Sequence, residues 1–590
     1  MDGYAPIRDY AVIGDGRTCG LVALDGSIDW LCLPDLDSPS VFASLLDSER
    51  GGRFALEPEC EYESARRYLP GTNLLETTFT TAAGVVSVTD AMTLPSSGLS
   101  PYRELVRRID GVAGSVPMRW RIEPRFGYGA HPIRIERRAG VPVVTAGSDA
   151  VAVCSFEAGE ATTSGAAITG WFTTSEGSRS VLVLSAAHQE PLVLPSRGEV
   201  ETRFEATGAA WREWSDGRKY DGPWKEAVVR SALALKLLVY APSGAIAAAA
   251  TTSLPEEIGA DRNWDYRYSW PRDAAFTLEA LLALGCAPEA RAFFFWLLHA
   301  SQLTHPRLQV LYRLDGRAEA AERSLPLAGY RGSQPTRVGN GAARQTQLDV
   351  YGEVFTAAVT FAAFAGGLDR DHGRRLAEIA DYICGIWEEP DAGIWELRDE
   401  PRHFTQSKML CAVALARACE LAARELLPAK NVARWEREQT RIREFVELRC
   451  YSDSKGSYVR SAGEEQLDAS LLLAVLAGYD DPCSPRLIGT VDAVRRELGR
   501  GPFVYRWADE PGAFLACSFW LADAYARQGR LDQARTLMGE IVRVSNDVGL
   551  YAEEIESETG LYLGNFPQGL THLGLINAAV SFMRAQDARE

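Results

Sequence analysis

The chain has 590 residues, 46% hydrophobic and 24% charged, with 52 Gly and 29 Pro, an ordinary globular balance. That balance excludes a small disulfide-stapled scaffold, a disordered tail and a collagen-like fibre. With 62 Lys and Arg against 79 Asp and Glu the net charge is −17, which disfavours nucleic acid and anionic membranes as partners.

The opening Met1-Asp2-Gly3-Tyr4-Ala5-Pro6 has no basic stretch followed by an apolar core, so no secretory leader is expected. The apolar run 232–241 is broken by Lys236 and falls short of a bilayer span. Eleven cysteines are scattered without a C-x-x-C pair or a neighbouring His cluster, so they read as small packed hydrophobes, without a structural zinc or a disulfide framework. The expectation is a cytoplasmic protein with no membrane partner. A homo-oligomer is left open.

The first third reads as β structure. Val116, Met118, Trp120 and Ile122 alternate with Pro117, Arg119, Arg121 and Glu123, the period of a half-buried strand. Segments 85–90, 141–145, 150–156, 167–173 and 180–184 are further candidates between Gly and Pro turns, which predicts an antiparallel sandwich of roughly 200 residues. After Trp211 and Trp214 the period becomes helical. Helices are expected near 225–240, 273–285, 289–302, 352–365, 373–387, 407–424, 431–448, 467–477, 484–498, 513–527, 532–546 and 570–585. Such a set can close into a toroid of hairpins or run as an open solenoid, and no fixed repeat period supports the solenoid. The connections 241–272 and 303–351 are long, and long loops are usually functional. The second holds Tyr330, Arg337, Asn340 and Gln345.

No P-loop, nucleophile elbow or H-E-x-x-H motif is present, and His is scarce at seven. Carboxylates are therefore the expected chemistry. In Arg262-Asn263-Trp264-Asp265-Tyr266-Arg267-Tyr268-Ser269-Trp270-Pro271-Arg272-Asp273, aromatic faces sit beside an Arg–Asp fork, a combination suited to packing sugar rings and tying their hydroxyls. Asp273 also reads as a helix cap. In Gly393-Ile394-Trp395-Glu396-Leu397-Arg398, a carboxyl between indole and aliphatic surface loses solvation, so its pKa rises and it can donate a proton. A solvated glutamate is the alternative. Glu553 and Glu554 precede Gly564-Asn565-Phe566-Pro567-Gln568 and offer either a second carboxylate or a surface charge run. Two carboxylates across a cleft are the usual minimum for glycoside hydrolysis.

Together these segments resemble glycoside hydrolase family 15, the glucoamylase and bacterial trehalase-like enzymes. The resemblance also rests on Asp25 to Cys32, Phe42 to Leu46, Ser231 to Leu238, Thr251 to Glu256, Gln347-Leu348-Asp349-Val350-Tyr351-Gly352-Glu353 and Cys517-Ser518-Phe519-Trp520. It implies a multidomain chain: a β-sandwich over 1–215, a helical linker and first barrel helix over 216–250, and an all-α (α/α)6 barrel over 251–590. It implies an inverting exo-acting α-glucosidase; no metal-ligand spacing is apparent in the sequence, so no cofactor or catalytic metal is expected. Glu396 then looks like the general acid and Glu553 like the general base, with Glu554 its rival. Tyr266, Trp270, Arg272 and Asp273 look like the grip on the terminal glucose, flanked by Trp395 and Arg398. Gln406, Pro511 and Leu397 depart from the family pattern and bear on the leaving-group side. Trehalose and short α-1,4 glucans are the leading substrates, with isomaltose-type α-1,6 glucosides as the alternative. A noncatalytic sugar binder on the same fold is the alternative of another class, and two candidate carboxylates argue against it.

Overall fold

A computed structural model describes residues 3–95 and 103–589. Two antiparallel sheets share a single 20-residue strand, Arg103–Ile122. Its first half pairs with Gly84–Met92 and Arg179–His188, and its second half with Phe54–Pro58 and Ala167–Ser175. The strand changes sheets at Gly111 to Gly114. Gly114 has φ +68°, and a Cβ there would lie 2.2 Å from the Ala83 carbonyl oxygen, so the crossing requires glycine. The alternation works as expected: Val116, Met118, Trp120 and Ile122 are buried between the sheets and Arg119 and Arg121 face outward. Each of the other five expected segments is also a strand.

Helix α1 (Arg197–Asp216) follows the last long strand and was missing from the expected helices. Its buried face is sparse, with Val200, Phe204, Thr207 and Trp211 among charged residues. The legible signal was at its start, where Ser196 and Glu199 form a capping box. This helix fills the end of the stretch 1–215, so the strands stop at His188.

The remaining helices are α2 (Lys225–Leu238), α3 (Ala274–Ala283), α4 (Ala287–Ala300), α5 (Val350–Ala365), α6 (Arg370–Ile386), α7 (Thr405–Ala423) and α8 (Val432–Arg449). Then come α9 (Leu473–Leu476), α10 (Pro485–Leu498), α11 (Leu515–Arg527), α12 (Leu531–Ile541) and α13 (Gly569–Asp587). Contacts run α3–α5–α7–α9–α11–α13 and back to α3, a closed inner ring. Outside it, α4 packs on α3 and α5, α6 and α8 on α7, α10 on α11, α12 on α11 and α13, and α2 on α13. Closure decides for the toroid. Inner helices must be apolar all round, and α11 is buried continuously from Leu515 to Ala526. The expected helix 467–477 is instead a 3-10 turn, Ala469–Leu472, leading into the four residues of α9. Among the described residues no helix is long and apolar enough to cross a membrane. All eleven cysteines are free, seven of them buried.

The sandwich and the barrel meet through buried polar contacts. Trp30 Nε1 donates to the Ala250 carbonyl at 2.9 Å, and Asn546 Nδ2 donates to the Tyr10 carbonyl at 2.8 Å. The wholly buried Arg66 pairs with Asp547 at 2.7 Å and donates to the carbonyls of Asp9 and Val22. Removing that side chain takes a donor from each of two carbonyls near the interface and leaves Asp547 without its partner. Arg66→Ala is expected to cost about 2–3 kcal/mol, read as a lower melting temperature; an unchanged melt would show that the interface does not lean on this residue.

Candidate active site

A cavity of about 270 Å³ opens at one end of the inner ring. Its walls come from the segments that lead into α3, α5, α7, α11 and α13, together with the hairpin loop 256–264. Tyr266, Trp270, Arg272, Asp273, Trp395, Glu396 and Arg398 all line it, so seven of the eight expected site residues meet on one surface.

The segment before α3 explains its own layout. Asn263–Asp265 is a strand paired with Thr252–Pro255, and extended backbone sends alternate side chains to opposite faces. Trp264 and Tyr266 accordingly reach the cavity, and Trp270, Arg272 and Asp273 reach it from the 3-10 turn that leads into α3. Asp265 and Arg267 turn away and form a buried bidentate pair at 2.8 and 2.7 Å, and Arg267 also donates to the Ser38 carbonyl of the sandwich. Tyr266 and Trp270 meet edge to face, 5.3 Å between centroids. Asp273 stands at the N-cap of α3 but makes no capping bond; its carboxylate accepts from Arg272 Nε at 3.3 Å.

Glu396 is mostly enclosed, with 16% of its side chain exposed, which corrects the solvated alternative. Its Oε1 accepts from Trp270 Nε1 at 2.6 Å and from Arg272 Nη1 at 3.0 Å. Burial raises its pKa above the usual carboxylate value, against the pull of Arg272 and the Trp270 hydrogen bond. The residue has φ +58°, a strained conformation for a non-glycine, of the kind that clusters at functional sites. The neighbours hold it there. Trp395 Nε1 donates to Asp468 at 2.8 Å and its ring packs on Phe514 and Trp520. Gln345 Nε2 donates to the carbonyls of Glu396 and Leu397 at 3.1 and 3.0 Å.

Glu553 does not line the cavity; it sits next to the cavity-lining Tyr266, with 1% of its surface exposed. Its Oε2 accepts from the Asn565 N–H at 2.9 Å. Oε1 is buried without a hydrogen bond from the described residues, and the Tyr266 phenol stands beside the carboxyl. Burial first, then the nearby Glu256, raises its pKa; Asn565, Tyr266 and Arg506 pull the other way. The Tyr266 phenol is near both Glu553 and Glu396. Glu554 points elsewhere. Its Oε1 is 2.7 Å from Arg506, whose guanidinium also holds Glu256 at 2.6 Å and Glu510 at 2.8 Å. These three carboxylates are close enough together to surround a cation, and the positive charge among them is that of Arg506, joined by Arg262 on Glu510 at 3.0 Å.

The Gly-Asn-Phe-Pro-Gln turn serves Glu553. Gly564 has φ +70°, and a Cβ on it would sit 2.4 Å from Glu553 Oε2. Asn565 ties that turn to Trp264 O and Thr251 Oγ1 at 3.0 and 2.9 Å. Arg506, Trp507, Phe514, Trp520, Asn340 and Gln568 also line the cavity and were not among the expected site residues. Tyr505-Arg506-Trp507 repeats the aromatic–Arg density of the first segment and was the available signal. Of the three departures from the family pattern, Leu397 lines the cavity. Gln406 does not: it is buried with Nε2 3.4 Å from Asp349, and so acts behind the site. Pro511 follows the Arg-binding Glu510.

The family model described as glycosyl hydrolases family 15 matches residues 222–580, and one described as trehalase-like, N-terminal, matches residues 2–191. The chain belongs to glycosyl hydrolase family 15. It is a glycoside hydrolase. It is 37% identical to a trehalase of Mycolicibacterium smegmatis, covering 99% of this chain and 92% of that protein. It is 32% identical to a trehalase of Thermoplasma volcanium, covering 98% and 94%. In fold it matches the crystal structure of a bacterial glucoamylase complexed with acarbose at TM-score 0.73 and 12% identity, covering 99% and 95%. That match spans both the β-sandwich and the barrel of this chain.

Gly564→Ala should push the Glu553 carboxyl out of place, and displacements of about 1 Å at a reacting group can cost about 10²-fold. At least a tenfold loss of turnover is expected with an unchanged circular dichroism spectrum. Full activity in this variant would show that the position of Glu553 is not critical.

Proposed function

We propose that this protein is an inverting exo-acting glucohydrolase whose substrate is trehalose, with short α-glucans as weaker substrates. The observation that carries the reading is Glu396, fixed on the cavity wall by Trp270 and Arg272, with Glu553 next to the cavity-lining Tyr266. The trehalase relatives at 37% and 32% identity support trehalose. A cavity of about 270 Å³ lies at the low end of the ~300–1,000 Å³ range for small-ligand pockets, which favours a disaccharide over a polymer. The free thiols support a cytoplasmic location.

In this mechanism the terminal glucose sits among Tyr266, Trp270, Arg272 and Asp273. Protonated Glu396 donates its proton to the bridging oxygen as the glycosidic bond stretches toward an oxocarbenium-like state. Glu553, ionised, takes a proton from a water that attacks the anomeric carbon from the opposite face. Its uncommitted Oε1 is the atom for that proton. Glu554 is engaged with Arg506 and supports the base instead of replacing it. After turnover the acid has lost a proton and the base has gained one, and solvent resets both.

The experiment is glucose release from trehalose, maltose, maltotriose and isomaltose with the anomers followed by proton NMR. Inversion yields one α- and one β-glucose from trehalose, and β-glucose from the nonreducing end of the others. Only α-glucose would overturn the assigned roles. Glu396→Gln and Glu553→Gln should each lower kcat at least about 10²-fold, and Glu554→Gln by less; a fully active Glu553→Gln would move the base to Glu554.

The pH profile follows from the two raised carboxyls. The active form has Glu553 ionised and Glu396 protonated, so activity passes through a maximum with pH whose two limbs belong to the pair. Both groups are held above the ordinary glutamate pKa of about 4.3. Both limbs of the kcat/KM profile are therefore expected above that value, and two limbs below it would refute the burial argument.

A further inference from the structure

The wall of the cavity beyond Glu396 is backed by a part of the chain with no catalytic segment in it. Arg323–Leu325 and Thr336–Val338 form a two-stranded hairpin inside the long connection 303–351. At its inner end, Glu322 receives both terminal nitrogens of Arg398, at 3.2 and 2.6 Å. The same carboxylate takes the Gly341 N–H at 2.9 Å and lies 3.3 Å from Arg337 Nε. Both guanidinium groups lie over the Trp264 ring, Arg398 at 4.0 Å and Arg337 at 4.5 Å from its centroid. Trp264 is itself fixed by Nε1 donating to Glu256 at 3.0 Å.

The outer end of the hairpin is held by the sandwich. The Ala328 N–H donates to Asp47 at 3.1 Å, Arg50 donates to the Pro326 carbonyl, and Tyr4 Oη donates to the Gly329 carbonyl at 3.2 Å. Tyr330 Oη donates to the Ala5 carbonyl at 3.1 Å. The hairpin thus bridges the sandwich to the cavity.

We propose that Glu322 is a specificity-determining positioning residue: by pinning Arg398 over Trp264 it makes a fixed wall that accepts one hexose as leaving group and disfavours a longer chain. The inference rests on the two-carboxylate reading above. Glu396 protonates the bridging oxygen, so the groups beyond it, Leu397, Arg398 and Trp264, face the leaving sugar, while Tyr266, Trp270, Arg272 and Asp273 hold the glucose that is released first. A free arginine at 43% side-chain exposure would sweep many rotamers, and immobilising it in advance lowers the entropy cost of binding. A planar bidentate pair stacked on an indole is a rigid surface. Glu322 does not line the cavity itself, so its influence passes through Arg398.

The test compares wild type, Glu322→Ala and Glu322→Gln on trehalose, maltotriose and α-D-glucosyl fluoride, whose leaving group carries no sugar ring. Glu322→Ala is expected to lower kcat/KM for trehalose about tenfold, equivalent to about 1.4 kcal/mol, chiefly through KM. The loss on glucosyl fluoride should be at least five times smaller. The maltotriose-to-trehalose ratio of kcat/KM should rise about tenfold or more. Glu322→Gln keeps an acceptor for Gly341 without the charge and should fall between the two. An equal loss on trehalose and glucosyl fluoride would overturn the proposal, because it would mean that Glu322 merely supports the Glu396 loop. An unchanged maltotriose-to-trehalose ratio would overturn it as well. Failure of the underlying reading looks different: wild type would then leave trehalose intact while hydrolysing glucosyl fluoride.

Discussion

The centre of this barrel holds more buried acid than base. Glu256, Asp273, Asp349, Glu353, Asp391, Glu396, Glu510, Glu553 and Glu554 are buried or nearly so around the ring mouth, against Arg262, Arg272 and Arg506. A buried carboxylate keeps its charge only when a cation or several N–H donors share its site; otherwise it takes up a proton. Nine carboxyls cannot all be balanced by three guanidinium groups and the buried Lys408 ammonium near Asp391, so several of the set are pushed toward the protonated form. Burial pushes Asp349 up to about 7 and Asp391 up to about 6, and also holds Glu353 and Glu554 well above the ordinary glutamate value. The arginines divide the rest. Arg272 serves Glu396 and Asp273, and Arg506 serves Glu256, Glu510 and Glu554.

This division separates the two sides of the site chemically. On one side, Glu396 shares Arg272 with Asp273 in a tight wall of indole, and burial outweighs the cation. On the other, Glu553 has no arginine of its own and depends on one backbone N–H and a phenol. Neighbouring glutamates at 553 and 554 end up with different work because Glu554–Ile555 is a short strand, and adjacent side chains of extended backbone face opposite ways. One carboxyl joins the Arg506 cluster, and the other faces Tyr266.

The scaffold answers the same constraint from outside. Loops that carry strained or buried polar residues need several independent holds, and here each cavity segment has them. The acid loop is gripped by Gln345, Asp468 and Glu322, the base by Gly564 and Asn565, and the first aromatic segment by Arg267 reaching the sandwich. The β-sandwich is therefore structurally continuous with the site through the hairpin that Tyr4, Asp47 and Arg50 hold in place.

Much of this was legible in the residues alone. Strand alternation at 116–122 and helical periodicity from 225 onward mark side chains that choose between core and water, a local choice that local pattern records. The aromatic–Arg–carboxylate segments brought seven of eight expected residues to one cavity for a similar reason: such residues are costly to bury without a shared purpose. The sparse face of α1, the truncation of the expected helix 467–477 and the burial of Gln406 behind the site were not readable, because each depends on partners distant in sequence. The same holds for the choice between Glu553 and Glu554 and for the roles of Arg506 and Glu322. Composition and spacing determined the kind of chemistry and the order of the layers. Only the closed ring decided which carboxyl meets a guanidinium and which is left with a phenol, since burial and pairing are properties of the assembled interior.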